Sequence, residues 1–162
     1  MQGGRSNNLR PDINDCRKKA KELYEAGEGK WGTNSHIFNK IFALSSKFEL
    51  AFICREYYKL YGHSIIDAIN NNFKGDLKKL LISIIHAIIN PSEYFASRIK
   101  DAIKGFGTKD NLLIRVIITR DEVDMPMIKR YYKQLYGKDM IDDIKKDTLG
   151  DYKRLLAELV DH

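Results

Sequence analysis

Apolar residues recur at helical spacing along most of the chain. Ile37, Phe38, Ile41 and Phe42 follow the pattern i, i+1, i+4, i+5, and a comparable run falls within residues 128–135. This spacing puts apolar side chains on one face of an α-helix, whereas a half-buried strand would alternate apolar and polar residues. No segment alternates long enough to indicate a strand. The pattern therefore predicts an all-α protein.

Side chains that cap helices mark several predicted helix starts. Ser, Thr, Asp and Asn accept hydrogen bonds from the N–H groups of a first helical turn, and an acidic residue three positions later can complete a capping box. The candidate caps are Asp12 or Asn14 before a helix through about Ala26, Thr33 or Asn34 before the next, Ser92 after Pro91, and Asp121 with Asp124 before the run at 128–135.

The chain contains an internal duplication with an offset of 75 residues. The pairs that keep this offset are Gly32-Thr33 with Gly107-Thr108, Tyr61-Gly62 with Tyr136-Gly137, and Gly75-Asp76-Leu77 with Gly150-Asp151-Tyr152. Self-similarity at a fixed period indicates a repeat architecture. We therefore predict a linker or leader at residues 1–11, a first repeat at 12–90 and a second repeat at 91–162, each of about five helices.

Composition and charge limit the possible locations and partners. No apolar stretch approaches the ~20 residues that a membrane-spanning helix needs, and the N-terminus has no apolar signal region, so we expect a cytoplasmic protein. The net charge of +6 favours anionic partners, although ordinary surface solubility explains it equally well. The two cysteines, Cys16 and Cys54, lack metal-site spacing and suit buried small hydrophobes.

Glycine-rich loops carry the first candidate chemistry. Residues 27–32 read Gly-Glu-Gly-Lys-Trp-Gly and match the G-x-G-x-x-G dinucleotide fingerprint by letter. That fingerprint must follow a strand, whereas the segment before residue 27 is predicted to be helical, so we reject dinucleotide binding. Between two helices, glycines instead allow several backbone carbonyls to turn toward one point. Carbonyl oxygens suit Ca²⁺, which takes about 6–8 oxygen ligands.

Neutral carbonyls alone hold Ca²⁺ poorly, so a carboxylate has to come from elsewhere in the repeat. Asp147 lies 40 residues after Gly107, at the predicted end of a short helix. The matching residue in the first repeat, 40 residues after Gly32, is Asn72. Its amide lacks the negative charge and offers one oxygen. We therefore expect a Ca²⁺ site in the second repeat and a weak or empty one in the first.

Longer segments of both repeats resemble the annexin family. The matching segments are Ala26-Gly27-Glu28-Gly29-Lys30-Trp31-Gly32-Thr33, Pro91-Ser92-Glu93-Tyr94-Phe95-Ala96, Gly105-Phe106-Gly107-Thr108, Leu113-Ile114-Arg115-Val116, Thr119-Arg120 and Asp147-Thr148-Leu149-Gly150-Asp151-Tyr152. The resemblance covers about residues 12–160, and the two repeats are similar to the third and fourth of four-repeat annexins. It implies right-handed superhelical repeats of about five helices each.

The resemblance also implies which atoms bind the ion. The second-repeat ligands would be the backbone carbonyls of Ile103, Gly105 and Gly107 and the bidentate side chain of Asp147. The weak or lost first-repeat site would use carbonyls of Gly27, Lys30 and Gly32, with Asn72 in the acidic position. Such a site leaves coordination positions for water or a lipid phosphate oxygen, so Ca²⁺ bridges the protein and the membrane.

Two loop tips are candidate membrane contacts. Trp31 lies between Lys30 and Gly32, where burial in a core is difficult, and its amphipathic ring suits a membrane interface. Packing of Trp31 against its own loop is the alternative. Phe106 occupies the corresponding tip of the second repeat, and the charge of Lys30 suits an anionic headgroup.

These features predict a peripheral, non-catalytic protein that binds anionic phospholipid membranes when Ca²⁺ rises. The competing hypothesis is a Ca²⁺-independent scaffold that binds acidic lipid, RNA or cytoskeleton through its basic charge, although nucleic acid is the less expected partner. Annexins normally carry four repeats, and this chain begins in what resembles the linker before the third. Apolar faces would then be uncovered, from which we expect a two-fold homodimer.

Overall fold

The computed structural model describes residues 10–29, 32–104, 109–148 and 150–160, and every regular element in these ranges is an α-helix. The helices are α1 (Ile13–Gly27), α2 (Ser35–Leu44), α3 (Lys47–Tyr61), α4 (Ile65–Asn72), α5 (Gly75–Ile89), α6 (Pro91–Ile103), α7 (Asp110–Tyr136), α8 (Met140–Asp147) and α9 (Gly150–Val160). The predicted all-α fold is confirmed.

The chain divides between Ile89 and Asn90 into two compact units. The first unit contains α1–α5, and each of its five helices contributes to one hydrophobic core. The fully buried members include Leu23, Phe38, Ile53, Ile69 and Leu81. Burying a side chain of this size contributes about 1.5–3 kcal/mol. Short helices such as α4 therefore depend on their apolar face rather than on intrinsic helix propensity.

The second unit contains α6–α9 and has a core of its own. Its fully buried side chains include Ile99 from α6, Leu113 and Ile117 from α7, Ile144 from α8 and Leu156 from α9. Leu113 and Ile117 are four positions apart in α7, which places them on the same face of the helix. As in the first unit, each helix of the second unit contributes apolar side chains to one core.

Two of the predicted caps are found where the sequence suggested them. Asp12 Oδ1 accepts from the Asn14 N–H at 2.8 Å and caps α1, and Asn34 Oδ1 accepts from the His36 N–H at 3.2 Å and caps α2. Of the alternatives considered, Asp12 and Asn34 are therefore the caps. Helix α1 extends through Gly27, one residue beyond the predicted end at Ala26.

The predicted capping box at Asp121 and Asp124 is wrong. Helix α7, Asp110–Tyr136, consists of two helical segments that meet at a kink at Asp124, where the backbone is non-helical with φ −154° and ψ 24°. The Asp124 carboxylate is occupied by Ser92 Oγ and Arg120 Nε, each at 2.7 Å. Asp121 consequently lies within a helix instead of capping one. Counted as two segments on either side of its kink, α7 gives the described part of the second unit five helical segments, in agreement with the prediction of about five.

The start of α6 also differs from the prediction. Asn90, not Ser92, is the cap, because Asn90 Oδ1 accepts from the Glu93 N–H at 3.3 Å. Pro91 occupies the first helical position, where its missing N–H leaves no hydrogen bond unmade. Ser92 is left to donate to Asp124 on α7.

Within the described ranges, the helices are too short or too polar for any of them to cross a bilayer.

Candidate functional site

The loop of the first repeat is closed by backbone hydrogen bonds at the end of α1. The N–H groups of Glu28 and Gly29 both donate to the Tyr24 carbonyl, at 2.7 and 2.9 Å. The Asn34 N–H donates to the Ala26 carbonyl at 2.7 Å and brings the start of α2 back to the end of α1. Lys30 and Trp31, two of the predicted site residues, lie outside the described residues.

Gly27 and Gly32, two of the three described glycines of this loop, have different roles. Gly27 is buried, and a Cβ at this position would lie 3.3 Å from the Phe38 ring, so a side chain would disturb the contact between α1 and α2. Gly32 has a φ of +91°, a backbone angle that glycine adopts without steric strain. The loop therefore needs glycine at Gly27 for close packing and at Gly32 for its direction.

The end of α4 lies against this loop. The Thr33 hydroxyl donates to the main-chain oxygen of Asn72 at 3.2 Å. The Asn72 side chain turns back along its own helix, where Nδ2 donates to the Ala68 carbonyl at 2.8 Å. The structure thus brings the loop and residue 72 together. It offers Ca²⁺ only a neutral amide oxygen from this side chain, which is a poor fit for a doubly charged ion.

A side-chain cluster that sequence reasoning missed holds the same loop from the side of α3. Glu28 Oε2 accepts from the Tyr57 hydroxyl at 2.5 Å and lies 2.7 Å from His63 Nε2. His63 Nδ1 lies 3.0 Å from the Tyr61 carbonyl. Because both ring nitrogens face oxygen acceptors, the protonated imidazole fits this position best. The hydrogen bond to Glu28 is the main cause that raises the pKa of His63.

The loop of the second repeat is closed in the same way. Helix α6 ends at Ile103, which is buried, and the Lys109 N–H donates to the Ala102 carbonyl at 2.8 Å. This bond corresponds to the one between Asn34 and Ala26 in the first repeat. The predicted site residues Gly105, Phe106 and Gly107 lie outside the described residues.

Asp147 is the last residue of α8 and is half-buried. The helix ends cleanly after it, because the Thr148 N–H and hydroxyl both donate to the Ile144 carbonyl, at 3.0 and 2.7 Å. The position is the counterpart of Asn72 at the end of α4. A carboxylate with its negative charge and two hard oxygens suits Ca²⁺, so the described residues of the second repeat fit this ion better than those of the first.

A second carboxylate of α8 is held by its neighbours in the unit. Asp143 Oδ2 lies 2.9 Å from Lys100 Nζ on α6 and accepts from the Tyr132 hydroxyl of α7 at 2.9 Å. Burial alone would raise the pKa of Asp143, but the hydrogen bonds from Lys100 and Tyr132 hold it below its ordinary value. Asp143 is therefore ionised and engaged within the protein.

Among the residues that the structure describes, no three His, Cys, Asp or Glu side chains converge as a metal cluster. Any metal bound by the described parts of the repeats would therefore rely on main-chain oxygens in addition to side chains. Such a donor set suits Ca²⁺ rather than a transition metal, which favours nitrogen and sulfur ligands.

Comparisons with known proteins match nearly the whole chain. The annexin family model matches residues 18–84 and 94–159. Human annexin A11 is 35% identical over 158 residues, and human annexin A4 is 38% identical over 157 residues. These matches cover 98% and 97% of this chain but 31% and 49% of the relatives, respectively. The chain thus spans about a third to a half of the length of these proteins.

Solved structures give the same result. The structure of annexin III has a TM-score of 0.90 at 32% identity, and the match covers 98% of this chain and 49% of that one. A structure described as calcium-bound annexin (Sm)1 has a TM-score of 0.83 at 29% identity and covers 93% of this chain and 41% of that one.

Proposed function

The chain belongs to the annexin family, and from this premise we propose that it binds anionic phospholipid membranes in a Ca²⁺-dependent manner. Annexins in general are Ca²⁺-dependent phospholipid-binding proteins. In this chain, the ion would be held by the second repeat, through the carbonyls of Ile103, Gly105 and Gly107 and the carboxylate of Asp147. The protein would be cytoplasmic and peripheral at membranes when Ca²⁺ rises, with no catalytic role.

One observation carries this proposal. In the first repeat, the residue at the end of α4 touches the loop, through the bond from the Thr33 hydroxyl to the Asn72 oxygen. The second repeat has the same loop-closing bond and a helix end at the counterpart position, but there the residue is Asp147. If the repeats share this arrangement, a carboxylate lies beside the loop carbonyls in the second repeat alone.

The membrane would complete the coordination of the ion. One carboxylate leaves a doubly charged cation with a residual positive charge, which favours an anionic lipid phosphate as a further ligand. We further propose that the loop tips contribute direct contacts, with Trp31 and Phe106 entering the interface and Lys30 meeting the headgroups.

The proposal is tested by co-sedimentation with vesicles of phosphatidylserine and phosphatidylcholine over a range of Ca²⁺ concentrations. Asp147→Asn should raise the Ca²⁺ concentration for half-maximal binding by about tenfold or more, because it removes charge and an oxygen from the site. Asp142→Asn is the matched control, since it makes the same charge change at an exposed position on the same helix.

Binding that persists in EGTA, decreases with salt and is the same for Asp147→Asn would contradict the proposal. That result would favour the scaffold hypothesis, in which the net charge of +6 binds acidic partners directly.

We also propose that a second copy of the chain covers the apolar groove formed by α3, α4 and α5. The groove has a volume of about 470 Å³, and the residues that line it include Cys54, Ile65, Ile85 and Ile88. Tyr58 and Ile89 at the groove are 60% and 59% exposed. The chain spans 49% of human annexin A4, so two copies would together reach the size of that relative. The expected assembly is a two-fold homodimer.

A further inference from the structure

A partly buried ion pair joins α6 to α8 one helical turn away from the proposed ligands. Its members are Lys100 and Asp143, whose Nζ and Oδ2 atoms lie 2.9 Å apart. Lys100 precedes Ile103 by three residues on α6, and Asp143 precedes Asp147 by four on α8. Residues at these spacings lie on the same side of a helix. The pair therefore connects the two helices whose ends are proposed to supply Ca²⁺ ligands.

The carboxylate of this pair is shielded from water, whereas the Lys100 side chain is 26% exposed. Asp143 is 7% exposed, and Lys100 Nζ lies 5.7 and 5.5 Å from the ring centroids of Tyr132 and Tyr136. Burying two charges costs desolvation energy that their attraction often fails to offset, and apolar replacements can be equally stable. The pair is therefore weak evidence for a stabilising role. A role in fixing geometry remains as an explanation.

The first repeat shows that this fold forms without the ion pair. Its loop is one residue longer between the closing bonds, so Tyr24 corresponds to Lys100, Ala68 to Asp143 and Tyr57 to Tyr132. Tyr24 stacks on the Tyr61 ring with centroids 3.8 Å apart, and the Tyr57 hydroxyl donates to Glu28. The repeat that lacks the pair also has Asn72 in place of a carboxylate ligand. The pair and the acidic ligand thus occur together.

We infer that Lys100 and Asp143 are positioning residues for the Ca²⁺ site of the second repeat. They fix the end of α8, and with it the Asp147 carboxylate, relative to the loop that follows α6. The inference rests on the proposed function of this repeat. Residues that orient metal ligands without touching the metal typically account for about 10–100-fold in metal affinity.

Electrostatics alone predicts a change of the opposite sign. Removing Lys100 would take a positive charge away from the neighbourhood of a bound cation and would tighten Ca²⁺ binding. Removing a positioning residue should weaken binding. The direction of the change in affinity therefore separates the two explanations.

The decisive variant is the double exchange of Lys100→Tyr with Asp143→Ala. It installs the residues of the first repeat and leaves the net charge unchanged. We expect Ca²⁺ affinity, measured by calorimetric titration at a temperature where the variant is folded, to decrease by about tenfold or more. The thermal unfolding midpoint in EGTA should fall, because the buried Tyr132 hydroxyl loses its acceptor. Lys100→Met alone should also weaken Ca²⁺ binding.

The matched control is the double variant Arg98→Met with Asp101→Ala. It removes a neighbouring ion pair of 3.1 Å that lies within α6 and does not reach α8. Its Ca²⁺ affinity should equal that of the unchanged chain. Lys100→Arg, which keeps a cation beside Asp143, should likewise retain most of the affinity even if the double exchange lowers the metal-free stability.

An unchanged affinity in the double exchange, tighter binding by Lys100→Met, or equal losses in Lys100→Arg and Lys100→Met would overturn the inference. If Asp147→Asn still abolishes binding in that case, the proposed function survives. Absence of Ca²⁺ binding by the unchanged chain would overturn both.

Discussion

Residue 72 determines what the first repeat can offer to a cation. Asn72 is placed beside the loop by the Thr33 hydroxyl, so the position itself is suitable for a ligand. Its amide carries no charge, and Nδ2 is bonded to the Ala68 carbonyl. The first repeat therefore places residue 72 suitably between loop and helix, but it lacks an acidic ligand there.

Asn72→Asp should create a second Ca²⁺ site. The change adds a negative charge and a second hard oxygen where the loop and α4 meet, and Ca²⁺ affinity depends on the charge of the ligand set. Calorimetric titration should then show about two bound ions per chain instead of about one. Asn71→Asp, an exposed change of the same charge one residue earlier, is the control. An equal effect of both variants would indicate a nonspecific charge effect.

His63 should make the stability of the first unit depend on pH. It faces Glu28 and the Tyr61 carbonyl directly, Asp67 adds a further negative charge, and the Tyr57 ring packs edge-on at 5.7 Å. These contacts raise the pKa of His63 in the folded state. Protonation therefore favours folding. The stabilisation is complete below the unfolded pKa of about 6.5 and is lost as pH rises through the higher folded value.

The measurement is urea denaturation of the chain across that pH range. His63→Gln should reduce the loss of stability with rising pH, because the variant has no proton to release from this position. His36→Gln, at an exposed site on α2, is the comparison. If the two variants follow the same pH dependence as the unchanged chain, the contacts of His63 do not contribute to stability.

At the scale of helices, the two units differ where α2 meets α3 and at the counterpart of this junction in the middle of α7. In the first unit, Ser46 and Glu49 form a capping box that starts α3 as a separate helix. In the second, the counterpart of Glu49 is Asp124, which binds Ser92 and Arg120 and lies at the kink where the two segments of α7 meet. Pro126 lies two residues beyond this kink, and proline commonly accompanies such bends.

A second difference between the two units, at the counterpart positions 45 and 120, changes the packing around α2. Ser45 is the counterpart of Arg120, whose guanidinium lies 4.6 Å from the Phe95 ring in the second unit. In the first unit, Lys19 takes over the ionic contact and lies 3.6 Å from Glu49. Ser45 Oγ is buried and has no hydrogen-bond partner among the described residues. A cavity of about 430 Å³ beside Ser45 accompanies the shorter side chain.

Local patterns made the helices predictable, and distant contacts made the rest unpredictable. Asp12 and Asn34 cap helices within two residues of themselves, so the sequence alone identified α1 and α2. The kink at Asp124 depends on Ser92, 32 residues away, and the cluster at Glu28 depends on His63, 35 residues away. Such pairs form only when helices pack, so the spacing of residues along the sequence does not indicate them.

At the scale of the whole molecule, the two repeats have one fold and different chemistry. The second repeat combines an acidic residue at the end of α8 with the ion pair between Lys100 and Asp143. The first has neither, and it carries the exposed apolar groove that includes Tyr58. Ion binding and self-association are therefore proposed for different repeats, so each can be removed by substitution without changing the other.

The proposed homodimer is a property of the whole molecule. Sedimentation velocity at increasing protein concentration should show a species of twice the 18.8 kDa of one chain. Tyr58→Glu places a charge at the apolar groove and should weaken the dimer by about tenfold or more, because a tyrosine that is a hot spot of an interface contributes about 2 kcal/mol or more. Ca²⁺ binding by the second repeat should be unaffected.

Leu80→Glu tests whether the groove itself is responsible. Leu80 is 56% exposed on α5 but does not line the groove, so this variant adds the same charge to another exposed apolar position. It should dimerise like the unchanged chain. A monomer at every concentration, or equal weakening by Tyr58→Glu and Leu80→Glu, would mean that the groove is not where two copies meet, because a specific interface must respond to the position of the charge and not only to its presence.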